Sequence, residues 1–156
     1  IAGFCQTGRT PLLLSAYGRR LSGAIVYHGG IYPRDFDASE AGQESVIDLV
    51  PFLSCPVFGA FGELDHLVPL PNIWAFRGML EQSRKSYQIH LFKGAPHAWM
   101  NDPATDGRYK PETTAQSWGL MVDFAREVTS GTWKEDQLIC RFESSFQQNQ
   151  GFQASR

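Results

Sequence analysis

The sequence GFCQTG at residues 3–8 places Cys5 in a turn with small neighbours, between the end of an apolar segment and the start of a helical pattern. A nucleophile in such a strand-to-helix turn needs small residues beside it, because larger side chains would clash with the strand and the helix. The following helix favours a thiolate through its dipole, and the backbone N–H of Gln6 can face a developing oxyanion. Relative to the G-x-S-x-G pattern, cysteine replaces serine and Thr7 occupies the position of the second glycine, with Gly8 one step later. Taken alone, the motif fits a buried structural cysteine equally well.

Short apolar runs alternate with helical patterns along the rest of the chain. Leu21–Tyr27 is typical of a strand buried on both faces, Cys55–Phe61 of a second buried strand, and Tyr87–Phe92 is predicted as the third strand. Helices are predicted at Thr10–Tyr17, after Pro69 and at Thr113–Thr129, with one or two helical turns within Ser45–Leu53 and a candidate edge strand at Leu138–Phe142. Strand–helix alternation of this kind predicts an α/β fold with a parallel sheet and helical crossovers.

An acid and an imidazole follow two of these strands. Asp65 comes just after Cys55–Phe61, and reactive groups of open parallel sheets lie beyond the carboxyl ends of the strands. His97 lies in a Gly/Pro loop after Tyr87–Phe92, where an imidazole can carry protons near neutral pH. Each residue alone also fits an ordinary surface side chain. Together with Cys5 they follow the order Cys…Asp…His expected of α/β-hydrolases, so we expect all three at one edge of the sheet.

The remaining histidines near these segments have weaker claims to a catalytic role. His66 is adjacent to Asp65 and is interpreted as a bystander, and His90 lies within a strand pattern and is interpreted as structural. His28 ends the strand Leu21–Tyr27, so it can line the same pocket.

Composition excludes several classes of protein. The 156 residues contain 42% hydrophobic and 19% charged residues, which is typical of a globular domain. A net charge of −2 gives no reason to expect binding to nucleic acid or to an anionic membrane, and no apolar run is long enough to span a bilayer. Three widely spaced cysteines favour a reducing compartment, so we expect a cytoplasmic protein. Neither the cysteines nor the histidines have the spacing of a metal site, so none is expected.

The sequence resembles the dienelactone hydrolase (carboxymethylenebutenolidase) family. The resemblance lies in GFCQTGR at residues 3–9, CPVFGAFGELDHLVP at 55–69 and KGAPHAWMND at 93–102, and it covers about the first 130 residues. It implies that Cys5 is the nucleophile, His97 the general base and Asp65 the group that orients the imidazole. The implied reaction is hydrolysis of a small activated ester or lactone through an acyl-thiol intermediate, without metal or organic cofactor. His28, Trp99 and Asn101 are the candidates for the substrate pocket.

Three departures from the family pattern bear on the substrate. Thr7 stands in place of a glycine at the elbow, which is expected to alter the backbone approach to the oxyanion. The namesake enzymes hold the substrate carboxylate with an arginine four positions after the histidine, where this chain has Asn101, which argues against a dienelactone. The segment Ile31–Leu53 looks long and is expected to reshape the pocket.

The family resemblance also implies that the N-terminal half of the fold is absent from this chain, which opens at Ile1 without a methionine. We therefore expect residues 1–130 to form the C-terminal portion of an α/β-hydrolase domain and residues 131–156 a polar extension. Such a portion would expose a sheet edge that a second chain or copy could cover. The alternative function is a truncated, catalytically weak core acting as an interaction or assembly module. A redox role for Cys5 is a third alternative, although the sequence has no C-x-x-C pair.

Overall fold

A computed structural model describes residues 1–18, 20–37, 44–101, 107–134 and 136–144. Its strands are β1 (Ala2–Phe4), β2 (Ala24–Tyr27), β3 (Val57–Gly62), β4 (Tyr87–Phe92) and β5 (Cys140–Ser144). Its α-helices are α1 (Arg9–Ala16), α2 (Val46–Leu49), α3 (Leu70–Gln82) and α4 (Pro111–Thr129). Short 3-10 helices occupy Cys5–Gly8, Pro33–Phe36 and Val50–Phe52. Within the described ranges, no helix combines the length and the apolar character that a membrane crossing requires.

The five strands form one parallel sheet in the order β1-β2-β3-β4-β5. Helices lie between successive strands in the sequence, as parallel pairing requires. All carboxyl ends of the strands therefore point to one edge of the sheet. This confirms the predicted α/β class and explains why residues that follow different strands come together.

The helices cover both faces of the sheet, and alternate strand residues point to opposite faces. In β2, Val26 packs in the core cluster that contains residues of α1, α2 and α3, while Ile25 and Tyr27 pack in a second cluster. The second cluster contains Met121 and Phe124 of α4. Because both faces are covered, the central strands are apolar throughout, and this is the pattern that the sequence displays.

The strand boundaries differ slightly from the predicted ones. β4 has the predicted bounds, but β2 begins at Ala24 rather than Leu21. Ala24 pairs with Val57, and the preceding Pro56 has no N–H to extend the ladder on that side. The Ala24 N–H instead donates to the Pro56 carbonyl at 2.9 Å, which closes this end of the pairing.

The polar segment predicted from residue 131 contributes to the fold in its described part. Trp133 is buried in the second core cluster, against Phe124 at 5.2 Å between ring centroids. The candidate edge strand is present as β5, two residues later than predicted, and is parallel to β4. Residues 145–156 lie outside the described residues.

β1 lies at the other edge of the sheet. Among the described residues it pairs with β2 alone, through Gly3 opposite Val26. The nucleophile candidate Cys5 directly follows this edge strand.

Candidate active site

The turn at Cys5 is tight, and its glycines are required by close contacts. Cys5 has a φ of 51°, in the left-handed region that side-chain-bearing residues rarely adopt. A Cβ at Gly3 would lie 2.2 Å from the Thr7 carbonyl oxygen, and one at Gly29 would lie 1.9 Å from the Cys5 carbonyl oxygen. The segment after β2 therefore packs directly against the backbone of the elbow. A strained backbone held by its surroundings is typical of a functional residue.

Thr7, the departure from the glycine pattern, stabilises this turn. Its hydroxyl accepts a hydrogen bond from the Phe4 N–H at 2.9 Å and donates one to the Phe4 carbonyl at 2.8 Å. The close-packing role falls to Gly8, where a Cβ would lie 2.8 Å from the backbone of Gly29 and Gly30. Threonine is tolerated because its side chain is exposed and bonded back to the turn.

Asp65 lies in the turn after β3 and is held by its own loop. Its Oδ1 accepts hydrogen bonds from the backbone N–H groups of Leu67 at 2.9 Å and Val68 at 3.1 Å. Its side chain is completely buried, and Oδ2 lies 2.8 Å from Nδ1 of His97. Both carboxylate oxygens are therefore occupied, and the carboxylate has a fixed direction toward the imidazole.

His97 lies between the acid and the thiol. It follows β4 in a turn that includes Gly94 with a φ of 66° and Ala98 with a φ of 57°. Its Nε2 lies 3.1 Å from the Sγ of Cys5, so the imidazole contacts the carboxylate on one side and the sulfur on the other. The structure thus places Cys5, His97 and Asp65 in one hydrogen-bonded series at the carboxyl edge of the sheet.

The electrostatics of this series favour a charged thiol and a charged imidazole. Burial by itself raises the pKa of the Cys5 thiol. The hydrogen bonds from Tyr32 and His97, the charge of His97 and the N–H of Gln6 lower this pKa by more than burial raises it, so the pKa lies below the usual value. The hydrogen bond with Asp65 raises the pKa of His97, against the effect of burial. A proton is therefore held more readily on nitrogen, and sulfur more readily carries the negative charge, than in the free side chains.

Tyr32 also contacts the thiol, although no motif in the sequence marks this residue. Its hydroxyl donates to the Cys5 Sγ at 3.5 Å. Burial and the contact with Cys5 raise the pKa of the Tyr32 hydroxyl, so it remains a donor at neutral pH. Asp35 fixes this loop, because its carboxylate accepts from the Tyr32 N–H at 2.8 Å and lies 3.3 Å from the Arg9 guanidinium of α1. Residues at the start of the segment Ile31–Leu53 therefore border the thiol, and residues 38–43 within it lie outside the described residues.

His28 lies behind the imidazole of His97. The two rings are 4.9 Å apart between centroids at 74°, and His28 also contacts Trp99 at 5.1 Å. Burial, followed by the neighbouring His97, lowers the pKa of His28 to about 4, so this imidazole is neutral at physiological pH. Its Nδ1 is buried and has no hydrogen-bond partner in the described part of the chain.

A cavity of about 500 Å³ opens beside the sulfur. Its lining residues are Cys5, Gln6, Tyr32, Pro33, Arg34, His66 and Leu67. His66, interpreted from the sequence as a bystander, is thus part of this wall. His90 is buried in β4 beside Gln88 and Glu143, away from the cavity, in agreement with its structural interpretation.

None of the three substrate-pocket candidates is among the residues that line this cavity, and His28 lies behind the ring of His97. Trp99 is completely buried in the second core cluster, where its Nε1–H donates to the Ser117 hydroxyl at 3.4 Å. Asn101 is exposed, and residues 102–106, which follow it, lie outside the described residues. Trp99 therefore supports the site from beneath, through its contact with His28.

The fold also brings metal-ligand atoms together. Sequence spacing gave no reason to expect a metal site, but Cys5, His28 and His97 come from three separate segments. One donor atom from each lies within 4.8 Å of the others. Sulfur and imidazole nitrogen are ligands suited to Zn²⁺ and related ions.

Relatives in sequence and in structure are described as carboxymethylenebutenolidases or dienelactone hydrolases. A protein of Escherichia coli O157:H7, described provisionally as a carboxymethylenebutenolidase, is 27% identical over 131 residues, which cover 81% of this chain and 45% of the relative. The crystal structure of a protein from Klebsiella pneumoniae, described provisionally as a dienelactone hydrolase, is similar with a TM-score of 0.70 and 25% identity, over 81% of this chain and 51% of that one. A dienelactone hydrolase-like promiscuous phosphotriesterase from metagenomic libraries shares the fold, with a TM-score of 0.63 and 23% identity over 80% and 50% of the two chains.

The chain thus spans about half the length of the relatives it matches. Its hydrogen-bonded cysteine, histidine and aspartate lie where the parallel strands of an α/β-hydrolase sheet end. The sequence profile of the dienelactone hydrolase family matches residues 1–129, which include all three of these residues. The chain therefore belongs to the dienelactone hydrolase family.

Proposed function

We propose that the protein hydrolyses small activated esters or lactones through an acyl-thiol intermediate. In this proposal Cys5 is the nucleophile, His97 the general base and acid, and Asp65 the group that orients and charges the imidazole. The observation that carries the proposal is the continuous series from Asp65 Oδ2 to His97 Nδ1 at 2.8 Å and from His97 Nε2 to Cys5 Sγ at 3.1 Å. These separations lie within the reach that general-base activation of a nucleophile requires.

Acylation begins when the sulfur of Cys5 attacks the carbonyl carbon of the substrate. The thiol proton is then on His97 Nε2, and the electron pair of the carbonyl bond moves to oxygen. Collapse of this tetrahedral intermediate breaks the bond to the leaving oxygen, which takes the proton from His97. The product of this half-reaction is an alcohol, or the ring-opened hydroxyl of a lactone, and a thioester on Cys5.

Deacylation uses the same groups with water in place of the thiol. His97 Nε2 accepts a proton from a water molecule, whose oxygen attacks the thioester carbon. The carbon–sulfur bond then breaks, which releases the carboxylic acid and regenerates the thiol–imidazole pair. The Gln6 N–H, which follows the nucleophile and hydrogen bonds to its sulfur, is proposed as one donor to the oxyanion in both steps.

The cavity beside Cys5 is the proposed site for the acyl or alcohol portion of the substrate. Its wall is mostly apolar, from Tyr32, Pro33 and Leu67, with Arg34 and His66 at exposed positions. A volume of about 500 Å³ fits the range of small-molecule pockets. Asn101 stands where the namesake enzymes hold a substrate carboxylate, so we propose an uncharged ester or lactone rather than a dienelactone.

Two further expectations remain proposals. We propose that the edge of β1 is covered by additional strands, supplied by the same polypeptide or by a second chain, because the matched part of this chain covers only 51% of the solved relative. We also propose a cytoplasmic location, as three unpaired cysteines favour a reducing compartment.

Burst kinetics test the proposed function. The polypeptide as it is made in the cell, mixed with an activated aryl ester, should release an initial burst of phenol equal to its concentration of sites. Cys5→Ala should abolish the burst, since removing a nucleophile costs several orders of magnitude in rate. Cys140→Ala is the matched control, because Cys140 is an exposed thiol on β5 at the far edge of the sheet. A burst that survives Cys5→Ala, or that Cys140→Ala removes, would overturn the assignment.

A further inference from the structure

The Cys5 thiol and two neighbouring imidazoles, of His28 and His97, have the composition of a transition-metal site. The Cys5 Sγ and the His97 Nε2 are 3.1 Å apart, and a donor atom of His28 completes a group within 4.8 Å. The two imidazoles are each only 4% exposed, so they are already removed from competing solvent. A tetrahedral zinc site with bonds of about 2.0–2.3 Å places its ligand atoms roughly 3.3–3.8 Å apart. Displacements of the donor atoms by about 1 Å would therefore bring all three into bonding distance of one ion.

His28 is the residue that the hydrolytic mechanism leaves unexplained. Its Nδ1 is buried without a hydrogen-bond partner in the described residues. An unsatisfied buried nitrogen is costly, and native proteins rarely keep one without a role. The ring is held among Phe4, Tyr27 and Trp99, so it cannot readily turn to solvent.

The contact between Asp65 and His97 also fits metal binding. A metal-ligating histidine usually donates its other ring N–H to a carboxylate, which fixes the ring orientation and makes the ligating nitrogen more basic. Here Asp65 Oδ2 lies 2.8 Å from Nδ1, which leaves Nε2 directed at the sulfur. His97, oriented by Asp65, and Cys5 therefore supply two of the three ligands of the candidate site.

We propose that Cys5, His97 and His28 bind one Zn²⁺ ion, with its fourth position open to the cavity beside Tyr32. Binding replaces the thiol proton, which leaves to solvent, and occupies the lone pairs of the sulfur and of His97 Nε2. Because those lone pairs are the nucleophile and the base of the proposed reaction, zinc reversibly inhibits hydrolysis. The inhibitory consequence rests on the proposed function, but the binding itself does not.

Direct metal titration tests the site without any substrate. The polypeptide as it is made in the cell, freed of metal with a chelator, is titrated with Zn²⁺ against a chromophoric chelator and separately with Co²⁺. We expect one ion per chain and a thiolate-to-cobalt charge-transfer absorption. His28→Phe keeps an aromatic ring in its aromatic surroundings and should weaken Zn²⁺ binding at least tenfold. Asp65→Asn should weaken it by about 10–100-fold through the lost support of His97.

Cys140→Ser is the matched control, because Cys140 is an exposed thiol on β5, at the opposite edge of the sheet from β1. This variant should bind Zn²⁺ as the parent does. Unchanged binding in His28→Phe, or loss of binding in Cys140→Ser, would overturn the proposal. If His28→Phe does not fold, X-ray absorption of the zinc-loaded parent decides, since one sulfur and two imidazoles are expected and fewer than two imidazoles contradicts the site.

Activity separates this proposal from the proposed function. A burst in chelator that Zn²⁺ suppresses and excess chelator restores supports both. A burst with no zinc binding refutes the metal site alone. Zinc binding with no burst in chelator leaves the metal site standing and counts against hydrolysis.

Discussion

Replacing Asp65 by asparagine removes one negative charge from beneath His97 and leaves the side-chain volume nearly unchanged. The amide oxygen can still accept from the Leu67 and Val68 N–H groups, as Oδ1 does now. The amide NH₂ then faces His97 Nδ1, which must accept rather than donate, so the ring proton moves to Nε2. In that tautomer His97 cannot take a proton from Cys5.

The structure sets the size of the expected effect. The carboxylate is completely buried and the imidazole nearly so, so solvent screens their interaction little. Unit charges about 4 Å apart contribute about 4 kcal/mol at an effective dielectric constant of about 20. Since about 1.4 kcal/mol corresponds to tenfold in rate, the loss of this charge should slow acylation by about a thousandfold.

Stopped-flow measurement of the burst with an activated aryl ester checks this value. Glu63→Gln is the matched control, since Glu63 accepts from the Gly94 N–H at 2.7 Å and glutamine keeps an oxygen for that bond. Glu63→Gln removes the same charge two residues away, and its acylation rate should lie within about threefold of that of the parent. An Asp65→Asn variant that folds normally and acylates within threefold of the parent would refute the role assigned to this carboxylate.

Three further predictions concern the thiol and the packing of the elbow. Because the pKa of Cys5 is lowered, alkylation of the thiol should reach half its maximal rate below pH 9.0. His97→Ala should move that midpoint to higher pH, and an unmoved midpoint would contradict the proposed interaction of Cys5 with His97. Tyr32→Phe removes the hydroxyl that contacts the sulfur, so the alkylation midpoint should rise and the burst should slow about tenfold. An unchanged pH dependence of the alkylation rate, measured by stopped flow, would count against this contact. Gly29→Ala should lower the free energy of unfolding in urea by about 1–3 kcal/mol, because its Cβ would overlap the Cys5 carbonyl. Gly119→Ala, on an open face of α4, should raise the free energy of unfolding by about 0.5–1 kcal/mol. Equal effects of the two substitutions would contradict the close contact between Gly29 and Cys5.

The fold was predictable because its strands are covered on both faces. Tyr87–Phe92 is a continuous apolar-rich run of strand length, and the strand has those bounds. Exact ends were less predictable where the partner strand decides them, as at Ala24, which begins β2 opposite Val57. β5 was hard to predict because it is an edge strand with partly exposed side chains, so periodicity alone does not mark it strongly.

The acid, the imidazole and the thiol were predictable because each follows a strand of a parallel sheet. Topology then brings them to one edge whatever the intervening sequence. Tyr32 and His66 could not be assigned in this way, since they lie in loops without periodic patterns and reach the cavity through tertiary packing. Trp99 is a pocket candidate in the sequence, but its large apolar ring is completely buried in the core, where such a ring is placed more favourably.

The most direct test is to locate the acyl group. The polypeptide as it is made in the cell is incubated with a slowly hydrolysed activated ester, quenched in acid and digested, and the peptides are weighed by mass spectrometry. We predict one acyl group per chain, attached to the peptide that contains Cys5 and lost on treatment with hydroxylamine at neutral pH, as a thioester would be. Hydrolysis accompanied by an acyl group on another residue, or by none on Cys5 when turnover is trapped, would contradict it.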